Sequence, residues 1–311
     1  MNPKVSINLC CYNSEKYLKE TLDSIVNQTY KDWELVIIND GSTDSTEAIV
    51  KEYIEKGYPI VYHYQKNHGL GYSRNEALKR SSGEFIAFID HDDMWLPYKL
   101  EKQVEILKGD NDVDFVYSNY YCLKDGKQKV CFKRFNPEGN VFKKFLRQYP
   151  VALLTVMLNK SAIDRLGSLF DTNLKLSEEY ELFMRILYHA RVRYIHEPLA
   201  IYRLHPQMGS LKYIDRWPDE MDYILNKLRN IYPYFEKDCF DEIEYMKAKI
   251  GYYKARAMMV KSKRHAARAL LKPYISLDYR FFFLYLMTYF PSSLWHYVHK
   301  VMTNGAFSMM G

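Results

Sequence analysis

The chain has 311 residues, 48% hydrophobic and 26% charged, which excludes disorder and collagen-like repeats and leaves room for one large domain or two ordinary ones. Its net charge of +6 is unevenly placed: residues 247–280 hold ten Lys or Arg against Asp278 alone, a balance of 10 − 1 = +9, so the rest carries 6 − 9 = −3. A near-neutral body with a basic tail does not coat nucleic acid, which is therefore not an expected partner.

In chain order, residues 5–9 read as a buried strand, and Asn13 or Ser14 caps a helix running to about Gln28, with Tyr17, Leu18, Thr21, Leu22 and Ile25 at helical spacing. A second strand, 35–38, ends in Asn39-Asp40-Gly41-Ser42, after which Thr43 or Asp44 caps a helix. A third strand spans 60–64. A helix over 71–80 follows the turn His68-Gly69-Leu70-Gly71. The fourth strand, 85–89, is wholly apolar and runs into Asp90-His91-Asp92-Asp93. Near-continuous apolar strands separated by helices predict an α/β fold with a parallel sheet covered on both faces. Ligands of such sheets bind beyond the carboxyl ends of the strands. Farther on, residues 115–118 read as a strand, Lys124-Asp125-Gly126-Lys127 as a hairpin turn, 178–189 as a helix and 192–202 as a strand broken at Pro198. From Trp217 the pattern is helical, with a boundary near 210–216.

Five cysteines, Cys10, Cys11, Cys122, Cys131 and Cys239, show no metal-ligand spacing and read as reduced thiols of a cytoplasmic protein. The first residues read as a polar lead rather than a signal peptide. No run of about 20 apolar residues is present, as a spanning helix would need.

Three carboxylates in four residues, Asp90, Asp92 and Asp93, repel one another at the mouth of a buried strand, which favours a bound cation. A hard divalent metal held by one or two carboxylates plus substrate phosphates fits; the plainer reading is a solvated acidic turn before the next helix. Asp40 could accept from a base N–H or a ribose hydroxyl, or simply shape its turn. Arg74 falls where the third glycine of a dinucleotide fingerprint would stand, so that fingerprint fails. At a helix start Arg74 could pair with a diphosphate, or be a surface arginine. Glu178, Glu179 and Glu181 complement a helix dipole, or one of them serves as a general base. His205 alone reads more readily as structural than as a metal ligand.

Taken in order, these runs resemble the inverting family 2 glycosyltransferases with the GT-A fold. The carriers are Val5-Ser6-Ile7 through Tyr12-Asn13, Tyr17-Leu18, Ser24-Ile25, Gln28-Thr29, Asn39 to Asp44, Gly71 to Asn75, Asp90 to Asp93, Glu178 to Leu182 and Tyr202 to His205. The match covers roughly residues 3–210. It implies a Rossmann-like GT-A domain over 1–212, with a nucleotide-sugar half over about 1–95, an acceptor half over 96–212, and a helical extension over 213–311. By the same resemblance the donor is a nucleotide-sugar, UDP-linked by family habit, and a divalent metal, Mn²⁺ or Mg²⁺, takes part. Asp40 matches the aspartate at the base, with Cys10, Tyr12, Asn13 and Ser42 around it. Arg74 matches the arginine near base and phosphates, and Asp90 and Asp92 the DxD pair, Asp92 on the metal with His205 completing the contacts. Asp93 is a further candidate. Glu179 falls where the family usually has Asp, as the catalytic base of a hexosyltransferase, with Glu178 able to share that role. An exposed Glu titrates near ~4.3, so the base needs no tuning. Asn39 replaces a common Asp.

In the tail, Met246, Ile250, Tyr253, Ala257 and Val260 form an expected apolar stripe, with Lys247, Lys254, Lys261 and Arg268 every seven residues beside it. Residues 281–290 are an aromatic run too short to span a bilayer, followed by Trp295, Tyr297 and Lys300. Basic residues beside aromatic ones suit a helix lying on an anionic inner leaflet; a bundle with solvated lysines is the alternative. The expected protein is peripheral on the cytoplasmic face and acts on a glycan or lipid-linked acceptor in surface polysaccharide synthesis. A sugar nucleotidyltransferase would want a glycine-rich loop after the first strand, where Cys10 to Ser14 has no glycine. A non-catalytic nucleotide-sugar-binding protein draws support only from the Glu at 179.

Overall fold

The computed structural model describes residues 4–134, 136–295 and 297. Lys300 and the first three residues of the N-terminal lead lie outside them. The chain divides into two units, one comprising residues up to Phe142 plus Pro150–Met208, the other Lys143–Tyr149 plus residues from Gly209 onward.

The first unit is built on a mixed sheet. Strands β1 (Val5–Cys11), β2 (Trp33–Asp40), β3 (Ile60–Gln65) and β4 (Phe85–Asp90) run parallel in the order β3-β2-β1-β4. The first two are buried along their whole length, as their unbroken apolar runs demand. Between them lie helices α1 (Leu18–Val26), α2 (Thr46–Glu55) and α3 (Leu70–Arg80). Apolar side chains of β1, β2 and β4 pack with Leu18, Leu22 and Ile25 of α1 and with Val50 and Tyr53 of α2 in one core cluster.

The sheet continues through β5 (Met94–Trp95), helix α4 (Lys99–Gly109), β6 (Val113–Lys124), β7 (Lys127–Val130), α5 (Phe142–Arg147), β8 (Met157–Asn159), α6 (Lys160–Asp164), α7 (Glu178–Leu187) and β9 (Arg191–Arg203). Its full order is β3-β2-β1-β4-β8-β6-β9-β5, with β7 beside β6. The short β8 runs antiparallel to both β4 and β6, and β9 runs parallel to β6. The expected break at Pro198 is a register irregularity, with Asn119 opposite Pro198 between two shifts. The expected hairpin turn is present, with Asp125 at φ 50 and Gly126 at φ 74, the left-handed pair that a tight two-residue connection requires.

One helix start differs from expectation and the other keeps its expected cap. Helix α1 begins at Leu18, because Ser14 turns the chain with its carbonyl, which accepts from the N–H groups of Tyr17 and Leu18. Asp44 caps α2 from outside: its Oδ1 accepts from the N–H of Thr46 at 3.0 Å.

The second unit is helical: α8 (Gly209–Lys212), α9 (Trp217–Ile231), α10 (Phe235–Asp238), α11 (Phe240–Val260), α12 (Arg264–Leu271) and α13 (Tyr279–Met287). Tyr245, Ala248, Tyr252, Ala255 and Met259 of α11 pack with Ala267, Leu271, Phe281, Leu284, Met287 and Trp295. The stripe expected on α11 is thus rotated: Met246 and Ile250 are buried, while Val260 is exposed. Two of the heptad lysines, Lys247 and Lys254, are paired, while Lys261 is exposed. Lys254 pairs with Asp222 at 2.6 Å and Asp219 at 3.4 Å, and Lys247 with Glu244 at 2.8 Å. Among the described residues no helix is long and apolar enough to cross a membrane.

Candidate active site

Strand register gathers the polar residues. Cys10 lies opposite both Ile38 and Asp90, Cys11 opposite Asn39, and Asp40 opposite Gln65. The carboxyl ends of four parallel strands therefore share one edge, where such sheets hold their ligands.

Two loops are laced together at that edge. Asn13, at φ 49, accepts from the N–H of Thr43 at 2.9 Å, and its own N–H donates to Ser42 Oγ at 2.9 Å. Ser42 N–H in turn donates to Asn39 Oδ1 at 3.0 Å. The Cys10 thiol is buried, and burial pushes it up to about 12, so it stays protonated. Tyr12, Asn13 and Thr43 are the exposed members of this group. Asp40 is buried and spends both oxygens internally: Oδ1 accepts from Gln65 Nε2 at 2.7 Å and His68 N–H at 2.9 Å, and Oδ2 from Gly69 N–H at 2.8 Å. Its carboxylate thus fixes the turn that leads into α3.

Helix α3 then carries Arg74 inward, and it is not a surface arginine. It is 5% exposed and bridges three carboxylates. Nη1 donates to Glu178 Oε1 at 2.7 Å and to Glu179 Oε2 at 3.3 Å; Nη2 donates to Asp90 Oδ1 at 3.0 Å. Burial works against its charge, but Asp90, Glu178 and Glu179 outweigh that and hold its pKa above the ordinary value. Glu179 is not the exposed group assumed from sequence. It sits half-buried at the first turn of α7, and burial, then the charge of Glu178, push it up to about 8, with Arg74 pulling the other way.

The acidic run is divided among partners. Asp92 Oδ2 lies 2.8 Å from His205 Nε2. Asp93 is 1% exposed; its Oδ1 accepts from the N–H of Arg203 at 2.9 Å, and its buried Oδ2 has no hydrogen-bond partner. Burial, then Asp92 and Asp90, raise the Asp93 carboxyl well above its usual range. Repulsion in the run is therefore relieved by the chain's own groups as well as by any bound cation. Sequence reading missed three contributors. Arg203 stacks its guanidinium 4.6 Å from the centre of the Tyr17 ring, which also lies 5.0 Å from the His205 ring. Thr21 Oγ1 sits 2.9 Å from His91 O and 2.7 Å from Asp93 O, pinning the acidic turn to α1. Tyr17, Thr21 and Arg203 all lie in runs legible in the sequence, but only the fold shows that they meet.

Among the described residues no group of three or more His, Cys, Asp or Glu side chains is arranged to hold a metal. The paired oxygen and nitrogen donors of Asp92 and His205 nevertheless fit a divalent ion that takes its other ligands from phosphate and water.

The model of the family described as glycosyl transferase family 2 matches residues 6–162; the chain belongs to that family. A UDP-Glc:alpha-D-GlcNAc-diphosphoundecaprenol beta-1,3-glucosyltransferase of Escherichia coli, WfgD, is 31% identical over 73% of this chain and 89% of its own. The putative teichuronic acid biosynthesis glycosyltransferase TuaG of Bacillus subtilis is 31% identical over 65% of this chain and 79% of its own. An uncharacterized glycosyltransferase of Rickettsia typhi is 33% identical; the chain spans 65% of that relative's length. Among solved structures, Staphylococcus aureus TarS 1-349 in complex with UDP superposes with a TM-score of 0.61 at 21% identity, covering 86% of this chain and 87% of that one. The mannosyltransferase PcManGT of Pyrobaculum calidifontis, solved with GDP-Man and Mn²⁺, gives 0.64 at 18% identity, covering 98% and 82%. The fold is thus GT-A-like, a mixed α/β sheet with flanking helices, followed by a helical C-terminal region.

Proposed function

We propose that the chain is an inverting hexosyltransferase that moves a sugar from a nucleotide-sugar, a UDP-sugar first among them, to a hydroxyl of a glycan or lipid-linked acceptor in surface polysaccharide synthesis. The observation that carries this reading is the bridge from Arg74 to Asp90, Glu178 and Glu179. It places a fixed positive charge and a carboxylate of raised proton affinity at the strand ends. The WfgD and TuaG names support a lipid-linked or polysaccharide acceptor, and the proposed place of work is the cytoplasmic face of a membrane. UDP bound to TarS and GDP-Man bound to PcManGT support the donor class.

In the proposed reaction the acceptor hydroxyl attacks the anomeric carbon opposite the departing nucleoside diphosphate, so the configuration inverts. Glu179 takes the hydroxyl proton as the new bond forms. Arg74 offers its guanidinium to the charge building on the diphosphate. Asp90 stands beside it for the ribose, and Cys10, Tyr12, Asn13 and Ser42 line the edge where the base would lie. Asp92 and His205 would hold the divalent ion, which when bound supplies positive charge to the diphosphate. The Asp93 carboxyl backs them.

Glu179→Gln is expected to lower turnover by at least about a thousandfold while UDP affinity by calorimetry stays close to wild type. Glu179→Asp should retain measurable transfer. A Glu179→Gln enzyme that turns over at the wild-type rate would assign the base elsewhere. Chelator should stop transfer, and Mn²⁺ or Mg²⁺ should restore it; full activity in chelator removes the metal role of Asp92 and His205.

A further inference from the structure

Helix α13 is apolar on two sides. Phe281, Leu284 and Met287 face the core of the helical unit. The opposite side carries Tyr279, Phe282, Phe283 and Leu286, at helical spacing and all exposed, and the turn that follows extends it with exposed Tyr289 and Phe290. Surface helices of soluble proteins normally keep that side polar, and contiguous exposed aromatic patches mark binding faces.

What covers it is indicated by charge. On α12 and its continuation, Arg264, Arg268 and Lys272 recur at every fourth position, which sets them on one side. Arg268 is the link: its guanidinium lies 3.5 Å from the centre of the Tyr289 ring, and Nε donates to Thr288 Oγ1 at 3.3 Å. The basic row therefore borders the aromatic side of α13. No acidic residue occurs between Glu244 and Asp278. A second copy of this chain would offer the row no acid from its own 245–277 segment. Phosphate headgroups above an acyl layer satisfy both halves at once.

We infer that the aromatic side of α13, bordered by Arg264, Arg268 and Lys272, is a docking face for anionic lipid bilayers. Phe282, Phe283 and Leu286 enter the interface, and the basic row holds the headgroups. This deepens the reading of a lipid-linked acceptor, but it stands on α12 and α13 and not on the transfer chemistry.

The test is sedimentation of the full chain with vesicles of phosphatidylcholine alone or mixed with phosphatidylglycerol. Binding to the anionic vesicles should be stronger by about tenfold or more and should weaken with salt. Phe282→Ser with Phe283→Ser should abolish it on either lipid, and Arg264→Glu with Lys272→Glu should erase the preference for the anionic one. All variants should keep the wild-type circular dichroism and donor hydrolysis in solution, so loss of docking and loss of the transferase reading are separate results. Absence of binding, equal binding to both lipids, or binding indifferent to the Phe pair overturns the assignment. So does a dimer in sedimentation equilibrium that the Phe pair abolishes without vesicle binding. A chain that binds only after residues 298–311 are deleted overturns it as well.

Discussion

In the proposed site, Arg74 and Glu179 act jointly. Burial, and then charge from Glu178 that one guanidinium touching three carboxylates cannot offset, leave one of them holding a proton to higher pH than a free glutamate would. Glu179, at about 8, is that group. As the proposed base it would work only when ionised, so kcat/KM is expected to rise with pH through that region and not to be complete above ~4.3, the value of an unperturbed glutamate. Glu178→Gln removes a like charge and should move the midpoint down; Arg74→Met removes the opposing charge and should move it up. A pH–rate profile of the wild type and the two variants checks both signs. A wild-type profile already flat from about pH 6 upward would sink the coupling. These residues were readable one by one, as acids at a helix start and an arginine at another. Their meeting was not, because Arg74 and Glu178 stand 104 positions apart, and periodicity carries no information at that separation. The exposure assumed for Glu179 failed for the same reason.

Elements were more legible than contacts. Strands β1, β2 and β4 were visible because strands buried on both faces are unbroken apolar runs. The three-residue β8 left no such trace, and with it the antiparallel insertion between β4 and β6 was hidden. Loops fall between these cases. The Asn39 to Asp44 run reads as turn chemistry or as a nucleotide contact, and the structure gives Asp40 an anchoring task that stands without any ligand. Three donors from Gln65, His68 and Gly69 converge on it, and Gly69 at φ 92 adopts a conformation that suits glycine alone. Losing a buried charged acceptor leaves those donors unsatisfied, at a cost of about 1.5–3 kcal/mol. Asp40→Ala should therefore lower the urea midpoint of the ligand-free protein by that equivalent, and loosen Arg74 behind it. If the midpoint is unchanged and only UDP affinity falls, Asp40 acts through the nucleotide and not through the turn.

At the scale of the molecule, the sequence places its change of character near residue 210, whereas contacts divide the chain at Met208 and Gly209 and assign Lys143–Tyr149 to the helical unit. That seven-residue segment has no compositional mark, since its affiliation depends on partners a hundred positions later: Arg147 lies 4.6 Å from the centre of the Tyr245 ring. Phe145 and Leu146 within it are fully buried, each worth about 1.5–3 kcal/mol when removed from water. A chain cut after Met208 keeps every proposed site residue but strips the partners from this segment. Such a fragment is expected to bind a hydrophobic dye and to self-associate on size exclusion, with a lower Tm than the sheet unit has in the full chain. Phe145→Ser with Leu146→Ser should reduce dye binding in the fragment, and the same pair should lower the Tm of the full chain, where both side chains are buried. A fragment that elutes as a monomer, ignores the dye and melts as the full chain does would show that residues 1–208 fold as a closed unit and that Lys143–Tyr149 belongs with them.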